Sequence, residues 1–490
     1  MDKVAYLKEI DQVIEKGPFK DNWDSLAAFE VPLWYKNAKF GIFIHWGVYS
    51  VPAYGNEWYS RNMYIQGSTE YEHHIKTYGA HKDFGYKDFI PMFKAEKFDA
   101  AEWADLFEKS GAKYVVPVAE HHDGFQMYRS DISHYNAYEM GPKKDTLGAL
   151  KQEFDKRGIV LGTSSHRVEH WFFMSHGKEF ESDIKEPLKC GDFYWPSMKE
   201  PNHHDIYSTP TPSIEYLEDW LIRTCEIVDK YKPKLMYFDW WIQHSAVKPY
   251  LKKFAAYYYN KANEWGIQVA IDYKHDAFAF GAAVVDIERG QFADIKPFFW
   301  QTDTAVARNS WCYTEDNHYK TAEEIIKMMI DVVSKNGSLL LNIGPKANGS
   351  IPEEDKNILL KIGEWMTVNG EAIYDTHPYR VSGEGPTTVE EGQFSDGKET
   401  IYTSDDIRFT MKGSSLYAIV MVSPKDGKVN ITTFGKQDSS IKANFNGIIN
   451  YVELVGSKQA VIWERDEEAL HLSIDPVEMD MPIVFKINLE

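Results

Sequence analysis

Polar side chains suited to sugar binding follow a short apolar run near the N-terminus, in the sequence FGIFIHWGVYSVPAYGNEWY. The run Phe40–Ile44 is too short for a membrane span and has the length of a buried strand. His45 and Trp46 follow it directly, and Glu57 and Trp58 lie on the next loop. Imidazoles and carboxylates bind hydroxyls, while indoles pack on the apolar faces of sugar rings. The segment therefore predicts a sugar pocket at the end of a strand.

The same combination of chemical groups recurs after three later apolar runs. These runs end in Glu120, His121, His122 and Asp123, in Asp239 beside Trp240 and Trp241, and in Asp286 and Glu288. In a barrel of parallel strands the C-terminal strand ends meet at one face, where barrel enzymes carry their active sites. Four such strand ends therefore predict one shared active site.

Asp239 is the strongest candidate for a reacting group. It follows four apolar residues and precedes two tryptophans, where a buried charge is costly unless it is paired or used. A carboxylate that caps the following helix would give a similar pattern, but this apolar setting favours a functional role. Asp286 and Glu288 share one face of their strand, so either of them could orient the other. The pattern alone does not choose between these two.

The adjacent histidines His121 and His122 raise the alternative of a metal site. Neighbouring strand residues point to opposite faces, so hydroxyl recognition is the better interpretation, and we expect neither a metal nor another cofactor. The sequence has no Gly-x-Ser-x-Gly elbow, no cysteine ending a strand beside a histidine and no Gly-x-Gly-x-x-Gly motif after a predicted strand. Two carboxylates at a barrel mouth lined by aromatic residues and histidines are the catalytic groups that a glycoside hydrolase uses.

Apolar runs alternate with helical patterns between residues 40 and 345, which predicts a parallel sheet. The predicted strands are Phe40–Ile44, Tyr114–Val118, Ile159–Gly162, Leu235–Phe238, Val269–Ile271, Val284–Ile287 and Ser338–Ile343, with an eighth around Phe298–Thr302. The predicted helices include Ala100–Ser110, Thr146–Arg157, Ser213–Tyr231, Val247–Trp265 and Thr321–Ser334. We therefore expect an α/β fold, a (β/α)8-like TIM barrel, with a capping helix formed by the first thirty or so residues.

The pattern changes after about Tyr379 to short β-type segments separated by Gly, Asp, Asn and Ser. These segments are Glu399–Thr403, Leu416–Val422, Lys428–Thr433, Ala460–Glu464 and Met481–Ile487. Such segments predict a C-terminal antiparallel β-sandwich. We expect a catalytic domain over residues 1–380 and a sandwich domain over residues 381–490.

The composition excludes several classes of partner. The 490 residues include 54 Lys and Arg against 74 Asp and Glu, a formal net charge of −20. This balance disfavours nucleic acid and anionic membrane surfaces, since both bind clustered basic residues. The three cysteines, Cys190, Cys225 and Cys312, match neither a disulfide framework nor a zinc motif. The N-terminal segment lacks a signal-peptide core, so the chain as given predicts a cytoplasmic protein, or a secreted or periplasmic one if a leader was removed.

Four segments of the sequence resemble the retaining α-L-fucosidases. They are WYKNAKFGIFIHWGVYSVPAYGNEWY, KYVVPVAEHHDGF, LMYFDWW and NGSLLLNIGPKANGSIPEEDKNILLKIGEWMTVNGEAIYDT, in the family's order between Trp34 and Thr376. The resemblance implies an exo-acting enzyme that hydrolyses terminal α-L-fucose from a fucosylated oligosaccharide or glycoconjugate by double displacement. A C-terminal β-sandwich is also usual in this family.

The resemblance assigns roles to matching positions. Asp239 takes the place of the nucleophile. The family does not fix the acid/base at one sequence position, and we expect it to be Glu288, two barrel strands after Asp239, with Asp286 and Glu315 as alternatives. The residues expected to bind substrate are His45, Trp46, Glu57, Trp58, His121, His122, His166, Trp241, Lys274 and Trp311.

The sequence also departs from the family pattern around the expected pocket. Trp240 stands where a glycine usually follows the nucleophile, and His166 or His170 replaces a tyrosine-rich strand end. Lys274 or His275 replaces an arginine. Because these changes border the pocket, the sequence does not fix the linkage cleaved or the leaving group. It does not fix the oligomeric state either. The alternative functions are a retaining glycosidase for another sugar and a fucose-binding protein with weak or no turnover.

Overall fold

A closed barrel of eight parallel strands forms the centre of the molecule. The computed structural model describes residues 2–436, 445–476 and 481–490. The barrel strands follow chain order: β1 (Phe40–Ile44), β2 (Tyr114–Glu120), β3 (Val160–Ser165), β4 (Leu235–Phe238), β5 (Ala270–Tyr273), β6 (Val284–Glu288), β7 (Trp300–Ala305) and β8 (Gly337–Ile343). The barrel closes where β1 pairs with β8, with Phe40 opposite Leu339. The predicted TIM-type barrel is confirmed.

Helices surround the barrel and bury their apolar faces against it or against one another. They are α1 (Lys3–Lys16), α2 (Trp23–Leu26), α3 (Leu33–Ala38), α4 (Tyr59–Asn62), α5 (Thr69–Tyr78), α6 (Ala100–Lys109), α7 (Thr146–Arg157), α8 (His170–Phe173), α9 (Ile214–Tyr231), α10 (Lys248–Trp265), α11 (Ala322–Ser334) and α12 (Glu353–Asn369). Local caps fix where they begin: the Ser213 hydroxyl accepts the Tyr216 N–H at the start of α9. Within the described ranges, no helix is long and apolar enough to cross a membrane.

The N-terminal helix does not cap the barrel as predicted. α1 packs on the outside against α9 and α10, where the Tyr6 hydroxyl donates to Asp229. The short helix α3 instead brings Tyr35 into the barrel interior, with its hydroxyl 2.8 Å from the Asp272 carboxyl and 2.6 Å from the Gln301 amide oxygen. Buried polar groups need such partners, so this hydroxyl fixes α3 against the strands.

In the C-terminal domain, the described residues form two antiparallel sheets, which confirms the predicted architecture. Their strands are β9 (His377–Glu384), β10 (Ile407–Lys412), β11 (Ser415–Val420), β12 (Lys428–Ile431), β13 (Ile449–Leu454), β14 (Ile462–Arg465), β15 (Leu470–Ser473) and β16 (Ile483–Leu489). The orders are β13-β16-β11-β10-β9 and β12-β15-β14. Phe409 and Phe485 of the larger sheet share one apolar core with Ile431 and Leu472 of the smaller sheet.

The predicted strand Glu399–Thr403 is wrong. It lies in an irregular stretch, residues 385–406, which we call the connecting segment. Here the Asp406 carboxylate accepts the backbone N–H groups of Thr387 (2.9 Å) and Thr403 (2.7 Å). A side chain therefore bonds the amides that a neighbouring strand would otherwise bind.

Candidate active site

A pocket of about 250 Å³ opens at the C-terminal ends of the barrel strands. It is lined by Phe43, His45, Glu57, Trp58, His121, His122, His166, Tyr237, Asp239, Trp240, Glu288, Asp303, Trp311 and Phe394. Most of the residues predicted from the sequence therefore meet in one cavity. Its lining combines aromatic rings with imidazoles and carboxyl groups, as expected of a small-molecule site.

Asp239 directly follows β4 and faces two imidazoles. Its Oδ2 lies 2.8 Å from Nδ1 of His166 and 3.4 Å from Nε2 of His122. Burial disfavours the carboxylate, but the charges and hydrogen bonds of these histidines outweigh it and hold the pKa of Asp239 well below its usual range. Asp239 is therefore an ionised carboxylate at neutral pH, the form that can attack carbon.

His122 carries the charge that balances this carboxylate. Burial lowers its pKa, but the neighbouring carboxyl groups of Glu169 and Asp239 prevail and raise the pKa of His122 to about 9. Its Nδ1 lies 2.8 Å from the His166 carbonyl oxygen and 3.8 Å from Oε2 of Glu169. Glu169 comes from the loop after β3, and no motif in the sequence marks it.

The carboxyl group of Glu288, the last residue of β6, has a raised pKa. Burial and the nearby carboxyl groups of Asp303 and Asp239 outweigh the opposing charge of Lys274 and raise the pKa of Glu288 to about 7. The indole N–H of Trp240 donates to its Oε2, and Lys274 Nζ lies 3.4 Å from the same oxygen. A carboxyl group with this pKa can both give and take a proton near neutral pH.

Lys274 does not line the pocket, contrary to the sequence prediction. It is fully buried beneath it, with Nζ 2.5 Å from Asp286 Oδ2 and 3.1 Å from Asp303 Oδ1. Asp286 is also fully buried, and the Gln301 amide donates to its other oxygen at 2.9 Å. Because Asp286 is enclosed by these partners, the geometry favours Glu288 as the acid/base candidate.

Two predicted sugar-contacting tryptophans point away from the pocket. Trp46 packs against Trp103, and its indole N–H donates to the Lys346 carbonyl at 2.8 Å. Trp241 has a positive φ of 75°, which turns its side chain away from the pocket, and its N–H donates to His203 Nδ1 at 3.1 Å. Both tryptophans support the loops that carry their pocket-lining neighbours rather than lining the pocket themselves.

The pocket wall opposite Glu288 offers neutral imidazoles. Asn342 donates its amide N–H to the Trp311 carbonyl, so its oxygen accepts, and His45 Nδ1 lies 2.7 Å from that oxygen. Burial and the neighbouring charge of His166 hold the pKa of His45 well below its usual range, which leaves Nε2 as an acceptor. Nδ1 of His121 is buried and has no hydrogen-bond partner in the part of the chain described. Sugar hydroxyls can bind both atoms.

Glu57 and the aromatic residues complete this wall. Oε2 of Glu57 accepts the Trp311 backbone N–H at 3.1 Å. Burial raises the pKa of Glu57, although that bond opposes it. The Trp311 ring is 5.3 Å from the His45 ring, and the Arg61 guanidinium lies 5.5 Å from the Trp58 ring. These contacts fix two flat apolar surfaces beside the hydrogen-bonding groups.

The other candidates from the sequence lie outside the pocket lining. His170 Nδ1 bonds the His122 carbonyl at 2.9 Å, so His166 rather than His170 reaches the pocket. His275 packs edge-on against Trp240, with ring centroids 4.6 Å apart. Glu315 lines a separate cavity beside Tyr54 and His73.

Among the described residues, two groups of side chains have possible metal-ligand atoms within 4.8 Å of one another: His45–His121–His166 and His122–His166–Asp239. His166 belongs to both. Its nitrogens already bond Asp239 at 2.8 Å and the Ser164 hydroxyl at 2.9 Å. A metal ion would have to displace one of these bonds, so the donor set suits hydroxyl binding better.

Five residues line the pocket without having been predicted as site residues from the sequence: Phe43, Tyr237, Trp240, Asp303 and Phe394. Tyr237 lies two residues before Asp239, on the same face of the chain, so strand periodicity could have identified it. Asp303 lies opposite Glu288 in the β6–β7 register, and its Oδ2 accepts the Tyr237 hydroxyl at 2.7 Å. Phe394 comes from the connecting segment, where no sequence signal indicates a site.

A parallel barrel with an ionised aspartate and a glutamate that can give and take a proton near neutral pH, beside a hydroxyl-binding wall, is typical of a glycoside hydrolase. Residues 6–371 match the family model of the α-L-fucosidases, and residues 400–490 match that of the α-L-fucosidase C-terminal domain. The chain therefore belongs to the α-L-fucosidase family.

Individual relatives agree with this assignment. The tissue α-L-fucosidase of Rattus norvegicus is 32% identical over 453 residues, which cover 91% of this chain and 86% of the relative. The tissue α-L-fucosidase of Homo sapiens is 30% identical over 418 residues, or 84% and 80% of the two chains. A crystal structure of Thermotoga maritima α-fucosidase superposes on this chain with a TM-score of 0.73 at 29% sequence identity. The superposition covers 96% of this chain and 100% of the T. maritima chain.

Proposed function

We propose that this chain is an exo-acting α-L-fucosidase that releases terminal α-L-fucose from glycans with retention of configuration. The observation that carries the proposal is that two carboxyl groups with widely separated pKa values line one pocket. Asp239 is ionised at neutral pH, whereas burial and neighbouring carboxylates raise the pKa of Glu288 to about 7. A related T. maritima enzyme has been solved in complex with fucose, which supports fucose as the sugar.

In the first step Glu288 acts as the acid. It donates its proton to the glycosidic oxygen while the bond from that oxygen to C1 of fucose breaks. Asp239 attacks C1 from the opposite face and forms a covalent fucosyl-enzyme. His45 and His121 bind fucose hydroxyls, and Trp58 and Trp311 pack on the apolar parts of the ring.

In the second step Glu288 acts as the base. It is now a carboxylate and takes a proton from the water molecule that attacks C1. The bond between C1 and Asp239 breaks, so the carboxylate and the protonated glutamate are both restored. Two displacements return fucose in the α configuration, and retaining enzymes place their two carboxyl groups about 5–5.5 Å apart.

A panel of glycosides tests this function. We expect release of 4-nitrophenol from the α-L-fucoside but not from the β-L-fucoside, and a Lewis-type trisaccharide tests whether the enzyme accepts a branched glycan. The α-L-galactoside adds a hydroxyl to the C5 methyl group and should react about 10²-fold more slowly. NMR of the first product should show α-L-fucose. Inversion to β-L-fucose contradicts the retaining mechanism, and a protein that binds fucose but turns over no fucoside contradicts the enzyme.

The pH dependence of kcat/KM should follow the proton of Glu288. The acid form is required for a leaving oxygen that needs protonation, so kcat/KM on the Lewis-type trisaccharide should fall as pH rises through about 7. Asp239 stays ionised well below this pH, so no loss is expected just below neutrality.

The variant Trp240→Phe tests whether the descending limb of the pH profile, the fall in kcat/KM above about pH 7, reports the titration of Glu288. It removes the N–H that stabilises the Glu288 carboxylate, so the pKa of Glu288 should rise and the descending limb should move to higher pH. Trp58→Phe, which changes the sugar wall and does not contact Glu288, should leave the limb in place. If Trp240→Phe does not move the descending limb, that limb reports the titration of a group other than Glu288.

A further inference from the structure

The connecting segment brings an exposed aromatic residue to the mouth of the pocket. Phe394 is 58% exposed and lies parallel to Trp240, with ring centroids 5.9 Å apart and planes inclined by 16°. It falls between residues 371 and 400, the limits of the two matched family models. The two rings form an apolar surface that the protein itself leaves partly uncovered.

The backbone holds Phe394 in place at a conformational cost. Its φ of 57° lies in the left-handed region, which residues with a Cβ adopt rarely. Its N–H donates to the Glu288 carbonyl at 2.8 Å, and the Asp396 N–H donates to the Arg289 carbonyl at 2.9 Å. Strained residues that their surroundings fix in this way cluster at functional sites.

The remainder of the segment is fixed to the barrel. Gly392 and Gln291 exchange backbone hydrogen bonds of 3.0 and 3.2 Å. The neighbouring Gly290 permits this approach, because a Cβ there would lie 1.8 Å from the Gly392 oxygen. The buried Asp396 carboxylate pairs with Lys320 at 2.8 Å and Arg289 at 3.7 Å. These hydrogen bonds and ion pairs therefore hold the backbone of Phe394 against β6.

The position of the two rings defines what they can contact. The Trp240 indole N–H donates to the Glu288 carboxyl group, and the Phe394 N–H donates to the Glu288 backbone. In the proposed reaction Glu288 lies at the glycosidic oxygen, while fucose occupies the wall formed by His45 and His121. The group on the far side of that oxygen, which leaves, therefore meets Trp240 and Phe394.

We infer that Trp240 and Phe394 form a subsite for the leaving group and that its ligand is a pyranose residue bound through a face of C–H groups. This inference rests on the proposed function. Flat aromatic rings pack on the C–H face of a pyranose and gain apolar burial without needing hydrogen bonds. The subsite would make this enzyme favour sugar leaving groups over those that lack a ring.

Substitution of Phe394 tests the subsite with two kinds of substrate. α-L-Fucosyl fluoride has a leaving group with no ring, whereas α-L-fucosyl-(1→2)-galactose and the (1→3)-, (1→4)- and (1→6)-linked N-acetylglucosamine disaccharides carry a pyranose. For Phe394→Ala we expect kcat/KM to fall about tenfold on the best of these disaccharides and to stay within about twofold on the fluoride. Phe394→Tyr should restore the disaccharide rate, and Phe394→Leu should not.

Phe280 provides a matched control. It is another exposed phenylalanine, 68% exposed on the loop between β5 and β6, packed against Phe298 and outside the pocket lining. Phe280→Ala should leave kcat/KM unchanged on both the fluoride and the disaccharide, and thermal unfolding should confirm that each variant folds. Equal losses on fluoride and disaccharide, or no loss on either, would overturn the subsite. A wild-type protein inert toward every one of these fucosides would instead contradict the proposed function, and with it the subsite.

Discussion

Asp239→Ala is expected to lower kcat for fucoside hydrolysis by about 10⁴-fold or more while leaving the protein folded. The reason is that the carboxylate forms a bond to C1 in the proposed reaction, and alanine cannot. The isosteric variant Asp239→Asn should be equally inactive but keep the contact with His166. Turnover should be followed with 4-nitrophenyl α-L-fucoside, and folding by thermal unfolding.

Two further measurements make this prediction specific. In Asp239→Asn the pKa of His122, about 9 in the native protein, should fall because one of the two carboxylates that raise it is gone. Glu315→Gln alters a carboxylate that lines another cavity and should keep wild-type activity. Turnover by Asp239→Ala within about tenfold of wild type would exclude Asp239 as the nucleophile.

Glu288→Ala should show a loss that depends on the leaving group. A glycan leaving group needs its oxygen protonated, so kcat/KM for a fucosylated trisaccharide should fall by about 10²–10⁴-fold. A fluoride or dinitrophenolate leaving group needs little protonation, so the loss on those substrates should be much smaller. Added azide should restore turnover, because it attacks the fucosyl-enzyme without a base.

The configuration of the azide product separates the two roles. In Glu288→Ala, azide attacks the face that water normally attacks and should give α-L-fucosyl azide. In Asp239→Ala, azide can only replace the missing nucleophile and should give the β product. The reverse pairing of products would exchange the two assignments.

Asp303→Asn is the matched control for Glu288→Ala. Asp303 also lines the pocket, and burial with the charge of Asp286 raises its pKa to about 8, so it is the nearest competitor for the acid role. Its oxygens already bond the Tyr237 hydroxyl and the Lys274 ammonium group. This variant should therefore show neither dependence on the leaving group nor rescue by azide. If it shows both, Asp303 is the acid.

The barrel was predictable because strand and helix patterns are local. The run LMYF before Asp239 coincides with β4 (Leu235–Phe238), since apolar β-forming residues and a polar end set both limits. The eighth strand, expected around Phe298–Thr302, is β7 (Trp300–Ala305), shifted because Trp300 pairs with Gly337 and Val285. The limits of such a strand depend on its pairing with neighbouring strands, and the sequence of one segment alone carries no information about that pairing.

The site was predictable at strand ends and less so beyond them. His45 and Asp239 directly follow their strands, where the fold dictates the direction of the side chain. Trp46 lies one residue after His45 and Trp241 lies two residues after Asp239, where the chain has left the pleat, and both indoles point away from the pocket. Phe394 reaches the pocket only through the docking of the connecting segment on β6, a tertiary contact without a local signal.

The C-terminal domain bears on the stability of the barrel through a buried ion pair. Nε of Arg408 on β10 lies 2.6 Å from Asp331 of α11, whose other oxygen lies 2.5 Å from Lys335. Asp331 and Arg408 are both buried, and separating them removes one of the two cations that balance Asp331; breaking such a buried ion pair typically costs about 3–5 kcal/mol. The two domains therefore cannot melt independently without that cost, which couples them into one cooperative unit of unfolding.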